Sequence, residues 1–313
     1  MSTGAAGGGL PVTGVDGVEA ALRAHGYLAD DGLATVVFLA LTLRRPLLLE
    51  GDAGVGKTEV AKVLSRWLEV PLLRLQCHEG IDVAQAVYEW DYARQLLHLR
   101  TAEARALGGG GPVPPGVEDE LYAERFLVRR PLLNAIATAP GDQPPVLLVD
   151  EIDRADDEFE AFLLEVLSDY SVTVPELGTF TAAVPPVVVL TSNRTRDLHD
   201  ALKRRCVYHW VDHPDFEREV AIVALRAPEV PVALVRQVAA AAEQLRQLGL
   251  YKPPGVAETI DWARSLAALG VDAIDERAVL RTLGVAVKHR EDVERVRVAG
   301  VADLAGTAKK RAR

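Results

Sequence analysis

Apolar residues in this chain follow two rhythms, and the change falls near Pro214. Before it, short apolar runs alternate with stretches of helical spacing. Leu47–Leu49, Pro71–Cys77, Pro145–Val149 and Val187–Leu190 read as buried strands, and Cys206–Val211 as a fifth. Between them, Val60, Val63, Leu64, Trp67 and Leu68 recur on one helical face, as do Phe159, Phe162, Leu163, Val166 and Leu167. Upstream, Val15–Leu28 reads as a short helix, and Leu33, Val36, Val37, Ala40 and Leu41 mark a second. Ile81–Arg100 is expected to be helical, with Tyr88, Trp90 and Tyr92 in it. The Gly-Pro run Gly108–Pro115 then breaks regular structure. Asp153 is placed to cap the helix that follows it. Ser171–Ala182, with a Pro-Glu-Leu-Gly turn, reads as a hairpin. After Pro214 only helical spacing remains, in Val232–Leu248, Thr259–Leu269 and Glu276–Val287. Strands alternating with helices predict an α/β fold with a parallel sheet, followed by a small all-helical domain. The expected division is a flexible tail over 1–12, an α/β domain over 13–212 and a helical domain over 213–313. The basic end, Lys309 to Arg313, is expected to be solvated and frayed.

The first strand runs into Gly51-Asp52-Ala53-Gly54-Val55-Gly56-Lys57-Thr58, a G-x-x-x-x-G-K-T turn that opens a helix. This spacing cradles nucleotide phosphates. Gly51, Gly54 and Gly56 let the backbone turn its N–H groups inward, and the helix start adds a positive dipole end. Lys57 can reach the β- and γ-phosphates of ATP, and the Thr58 hydroxyl suits Mg²⁺. Glu59 follows in the same turn and is counted with the binding residues.

With that turn in place, the acidic end of the strand Pro145–Glu151 acquires a meaning. Asp150 is the residue to help hold Mg²⁺, and Glu151 the residue to orient or deprotonate an attacking water. Asn193, at the carboxyl end of the Val187–Leu190 strand, either positions that water or simply forms a turn. Arg204 and Arg205 offer the charge a transferring phosphoryl group wants, supplied by a neighbouring subunit; a solvated basic turn is the plainer reading. Cys206, His209 and His213 have C-x₂-H-x₃-H spacing. On a strand, however, Cys206 and His209 point to opposite faces, and no fourth ligand is near. Tyr88, Trp90 and Tyr92 suit either a pore or, more ordinarily, a core or interface.

Composition narrows the partners. The net charge of −10 disfavours a nucleic-acid backbone as ligand. Two cysteines, Cys77 and Cys206, imply no disulfide framework. The Gly/Ala-rich start lacks the charged and apolar regions of a signal peptide, and Leu33–Leu43 is too short to span a bilayer. The expectation is a cytoplasmic protein.

The segments RRPLLLEGDAGVGKTEVAK, RLQCHEGIDVAQAVYEWDYARQLLHLR, VLLVDEIDRADDEFEAFLLEVLSD, VVVLTSNRTRDLHDALKRRC and KPPGVAETIDWARSL together resemble the MoxR family of AAA+ ATPases. Within it they are most similar to the CoxD-type branch, associated with maturation of molybdenum–copper carbon monoxide dehydrogenase. The resemblance runs from about Tyr27 to Leu269. It implies an AAA+ P-loop NTPase core with a helical lid, using ATP and Mg²⁺. It assigns Walker A roles to Lys57 and Thr58, Walker B roles to Asp150 and Glu151, and sensor 1 to Asn193. Arg205 becomes the trans arginine finger, with Arg204 as fallback. Val172–Phe180 resembles the pre-sensor-1 hairpin, and Tyr88–Leu127 covers the helix-2 insertion. The implied assembly is a ring, usually a hexamer. The implied partner is a protein client, such as a molybdenum hydroxylase or a von Willebrand A-domain protein. The chain departs from the family pattern at Gly255-Val256-Ala257-Glu258, where relatives carry a sensor 2 arginine; Lys252 and Arg264 are the nearby cations. From a different class, a P-loop small-molecule phosphotransferase is the alternative activity.

Overall fold

A computed structural model describes residues 14–109, 120–139 and 141–312. Its strands are β1 (Leu47–Glu50), β2 (Leu72–Gln76), β3 (Tyr88–Trp90), β4 (Leu127–Arg129), β5 (Val146–Asp150), β6 (Ser171–Val174), β7 (Gly178–Thr181), β8 (Val187–Ser192) and β9 (Val207–Trp210). Five of them form the expected parallel sheet, in the order β2-β5-β8-β1-β9. Every residue of β1 and β5 is buried, as the unbroken apolar runs require of strands covered on both faces. Register aligns Gln76 with Asp150 across β2 and β5, and Val149 with Leu190 across β5 and β8. The carboxyl ends of β2, β5 and β8 therefore lie side by side.

The chain divides into two compact units. The first contains Val36–Leu49 and Leu64–Tyr208, the second 14–35, Glu50–Val63 and 209–312. In the first, Leu75, Leu147, Val149, Val188 and Leu190 of the sheet share a core with Phe159, Leu163, Val166 and Leu167 of the helix Asp157–Asp169. That helix presents the one apolar face read from its spacing. In the second unit, Phe216–Arg226, Val232–Gln247, Val256–Ala268, Glu276–Ala286, Arg290–Ala299 and Val301–Arg311 are helices with a common core. Ala239, Ala240 and Ala241 are fully buried there, and such small side chains let helices approach closely. The fully buried Trp262 gives its indole N–H to Thr282 Oγ1 at 2.7 Å, so its one polar atom is satisfied.

Several expectations fail. Ile81–Arg100 is not one helix: a short helix Val83–Ala86 precedes β3, and a new helix starts at Tyr92. Tyr88-Glu89-Trp90 pairs antiparallel with β4, so a partner far along the chain overrides the local pattern. Trp90 is buried against Tyr88 and Tyr122, whereas Tyr92 is 69% exposed. The helix Tyr92–Gly109 runs into the Gly-rich stretch; most of the expected break, Gly110 to Pro115, lies outside the described residues, as does the tail over 1–12. Asp153 does not cap a helix. Asp156 does, accepting from Phe159 N at 2.8 Å. The basic end is solvated as expected, with Lys309, Lys310 and Arg311 exposed, but it is helical through Arg311 and not frayed, and the Arg311 guanidinium lies over the Phe216 ring at 5.0 Å.

Candidate functional site

In the second unit, the turn 51–56 takes a backbone few residues tolerate. Gly51 has φ 154°, and a Cβ there would fall 2.3 Å from the Val211 carbonyl oxygen. Val211 N in turn donates to the Glu50 carbonyl at 2.7 Å, fixing strand and turn to that neighbour. Gly54, at φ 81°, packs against Gly255, whose added Cβ would meet Gly54 Cα at 2.7 Å. Val256 N donates to the Gly54 carbonyl at 3.0 Å. Lys57 is buried, and its ammonium donates to the carbonyls of Gly51 at 2.7 Å and Asp52 at 2.6 Å. Thr58 follows in the first turn of the helix Lys57–Leu68. A glycine turn, a helix start and a lysine folded over both fit a polyphosphate anion. Asp52 and Ala53 are exposed, and Val55 is buried. Glu59 pairs with Arg226 at 3.0 Å. His213 Nε2 lies 3.4 Å from Asp52. Burial holds the His213 imidazole below its ordinary pKa, and Arg246 adds to this.

The same unit holds a cavity of about 180 Å³ beside Gly54 and Gly56. Tyr27, Leu28, Val55, Ile222, Val256 and Ile260 give it apolar walls. In its charged lining Arg218 pairs with Asp30 at 3.0 Å and Arg226 with Glu59, while Asp212 accepts from the Trp210 indole N–H at 2.7 Å. Sequence reasoning missed this cavity, because residues from four separate segments make it and no motif spans them. The turn before Val256 is held from behind. Arg246 donates to the Pro254 carbonyl at 2.8 Å and makes a two-pronged pair with the buried Glu219. Of the two nearby cations, Arg264 is engaged with Glu229 at 3.0 Å and with the Arg226 carbonyl. Lys252 is exposed, and its backbone N donates to Asp292.

In the first unit, the carboxyl ends of β5 and β8 carry a hydrogen-bonded set. Asp150 is 3% exposed. Its Oδ1 accepts from Thr191 Oγ1 at 2.5 Å, and its Oδ2 accepts from Arg74 Nε at 3.1 Å and Nη2 at 2.5 Å. Glu151 follows in the left-handed region, at φ 56° and ψ 50°. That conformation costs a non-glycine residue roughly 1–2 kcal/mol and here turns the chain off the strand. Its backbone N donates to Thr191 Oγ1 at 3.0 Å. Its carboxylate accepts from Asn193 Nδ2 at 3.1 Å and from Gln76 Nε2 at 3.2 Å. Arg154 stands 3.3 Å from the same carboxylate. Asp153, expected as a cap, is buried and accepts from Asn193 N, Thr195 N and Thr195 Oγ1. Asp150, Glu151 and Asn193 thus come together as the motifs suggested. Arg74, Gln76, Thr191 and Asp153 were missed; alternation along β2, which sends Arg74 and Gln76 to one face, was the available signal.

Arg204 and Arg205 end the helix Asp200–Arg205. Arg205 turns its guanidinium onto the carbonyls of Leu167, at 3.3 Å, and Ser168, at the end of the helix Asp157–Asp169. Arg204 is exposed. Arg45 donates to the backbone carbonyls of both and so pins the turn. Cys206 is buried in the first unit's core, while His209 in the second lies 3.9 Å from Asp30. His213 faces Asp52 instead.

The sequence profile of the AAA domain, dynein-related subfamily, matches residues 46–206, just over half of the chain. The chain belongs to this family. It is an ATP-hydrolysing enzyme with a P-loop AAA+ fold, and proteins of this class typically assemble into rings. It is 26% identical over 266 residues to an uncharacterised protein of Staphylococcus haemolyticus, covering 82% of this chain and 89% of that protein. An uncharacterised protein of Staphylococcus aureus is 28% identical over 180 residues, which are 55% of this chain and 57% of that one. Among solved structures, a RuvB variant of Thermotoga maritima superposes with a TM-score of 0.47 at 15% identity, over 96% of this chain and 87% of that one. No helix among the described residues is long and apolar enough to cross a membrane.

Proposed function

We propose that this chain is a MoxR-type ATPase that spends ATP hydrolysis on remodelling a protein client. The observation that carries the reading is the Asp150–Thr191–Glu151–Asn193 hydrogen-bonded set at the ends of β5 and β8, in a chain that also bears the complete phosphate-binding turn. In this reading 13–212 is the nucleotide-binding domain and 213–313 the lid.

The ATP phosphates lie on the N–H groups of Gly51 to Gly56, and Lys57 leaves the loop carbonyls for the β- and γ-phosphates. The apolar cavity beside Gly54 and Gly56 takes the nucleoside. Thr58 and Asp150 are the residues that would hold Mg²⁺; oxygen donors of this kind suit a hard cation, which would neutralise phosphate charge. Glu151 orients the attacking water and takes its proton, with its carboxylate aimed by Asn193 on one oxygen and Gln76 on the other. Arg205 from a neighbouring subunit, with Arg204 as the fallback, stabilises charge developing on the γ-phosphoryl group. The assembly is a hexameric ring in the cytoplasm.

Support for the client class comes from the CoxD-like segments around Arg74–Arg100 and Thr191–Cys206. They favour a molybdenum enzyme such as carbon monoxide dehydrogenase, or a von Willebrand A-domain protein that acts with it. The test is Glu151→Gln, which keeps shape and loses the carboxylate. ATP should still bind, while turnover falls by ~10²–10⁴. Unchanged turnover would remove Glu151 from its role. A molybdenum enzyme retained on the ATP-loaded variant would support the client; its absence from an otherwise stable trapped complex would overturn that part.

A further inference from the structure

Arg74 is not explained by the roles above, yet it holds the buried carboxylate of Asp150. As side chains Asp150 is 4% exposed and Arg74 53%, so the pair is a buried anion capped by a cation that reaches in from solvent. Both N–H contacts fall on the same oxygen, Oδ2; Oδ1 is taken by Thr191. Arg74 is also tied to its neighbour on the strand, since its Nη2 donates to Gln76 Oε1. Gln76 passes its own N–H to Glu151.

Burying a charged carboxylate is costly unless it is paired or coordinates a metal. A divalent cation, bare or through its water, would draw on the same Oδ2. Arginine donors and a hydrated cation cannot both use it fully. The arginine can leave at small cost, because half of its side chain already meets water. We propose that Arg74 is a displaceable internal cation for Asp150, which holds the carboxylate until the divalent ion arrives and competes with that ion for it. Arg74 is then a positioning residue that sets the metal concentration at which the site loads. Its release frees Gln76 Oε1 and leaves the Gln76 N–H on Glu151. The inference rests on the reading of Asp150 as a metal ligand.

The experiment titrates Mn²⁺ into the full chain with ADP, following the loss of the free-ion EPR signal. A fluorescent ADP titration measures nucleotide binding separately. Arg74→Ala should bind Mn²⁺ about tenfold more tightly than the unaltered chain, the scale of one partly exposed charge-assisted pair. Arg74→Lys keeps the charge without the two-pronged contact and should fall between; it carries the test if the alanine variant does not fold. In an Asp150→Asn background, Arg74→Ala should change nothing. Unchanged or weaker Mn²⁺ binding in both Arg74 variants would overturn the inference, as would a full effect that persists with Asp150→Asn. If Asp150→Asn itself leaves Mn²⁺ binding intact while ADP binds, the reading of Asp150 fails first, and this proposal with it.

Discussion

The side-chain amide of Asn193 reaches from the end of β8 to the carboxylate of Glu151, 3.1 Å away at the end of β5. Adjacent parallel strands bring the two residues together, and the left-handed backbone at Glu151 turns its side chain off the strand. The amide donates to one carboxylate oxygen and so fixes the direction in which the glutamate points. Asn193→Ala should lower kcat by ~10–100-fold with little change in KM, the scale of a lost orienting contact. Asn193→Asp should be worse, because two carboxylates would then face each other. Steady-state phosphate release at saturating ATP checks both, and wild-type kcat in Asn193→Asp would remove the contact from the mechanism.

Arg205 has a structural task in its own chain, at the Leu167 and Ser168 carbonyls. Arg205→Ala should therefore cost about 1 kcal/mol of stability through a lost helix C-terminal cap, as well as turnover through a lost finger. Arg204→Ala, at an exposed side chain, should leave the melting temperature unchanged. Melting curves and ATPase rates on the same samples separate the two effects. Mixed rings of Arg205→Ala and Glu151→Gln subunits should regain activity that neither has alone. Full turnover in Arg205→Ala with collapse in Arg204→Ala would transfer the role to Arg204.

Gly255 touches the phosphate-binding turn through backbone alone. A methyl group there would meet Gly54 Cα at 2.7 Å, Gly54 C at 2.8 Å and the Ala53 carbonyl oxygen at 2.9 Å. Main-chain atoms cannot rotate away as a side chain could, so Gly255→Ala should cost ~1–3 kcal/mol and push the turn out of shape. ATP affinity should fall along with the melting temperature. A variant that melts normally and binds ATP normally would show that the contact yields freely.

His213 is held neutral by burial, with Arg246 adding to that and Asp52 and Glu219 opposing it. Its folded pKa lies below the ordinary value of 6.5, so an unfolded chain takes up the proton first as pH falls. Stability from this group is complete above about pH 6.5 and is lost progressively below it, down to the folded pKa. His209 shifts the same way, also through burial. Denaturant midpoints from about pH 7.5 to about pH 5.5 should fall on the acid side, and His213→Gln should flatten that fall. An acid limb identical in the variant would assign the loss to other groups.

The chemistry-bearing stretches were legible because each is local. Gly51 to Thr58 must follow a strand and open a helix to work, and apolar runs around it said that it does. Asp150 and Glu151 announce themselves by ending a fully apolar strand. Local reading failed where the deciding partner is distant. Tyr88-Glu89-Trp90 is a strand only because Leu127–Arg129 pairs with it. Asp153 is drawn from its expected cap by the N–H groups of Asn193 and Thr195, some 40 residues on.

Periodicity and motif spacing by themselves determined the α/β class, the helical part after Pro214, the phosphate-binding turn and the acidic strand end, since each depends on residues within a few turns of chain. Tertiary structure alone decided that β5 lies between β2 and β8, and with that order everything the carboxylates touch. Arg74 and Thr191 meet Asp150 from opposite neighbouring strands, and Gln76 and Asn193 meet Glu151 in the same way. Strand order is set by burying both faces of a twisted sheet at once, a demand made on the whole first unit that no single stretch of sequence carries.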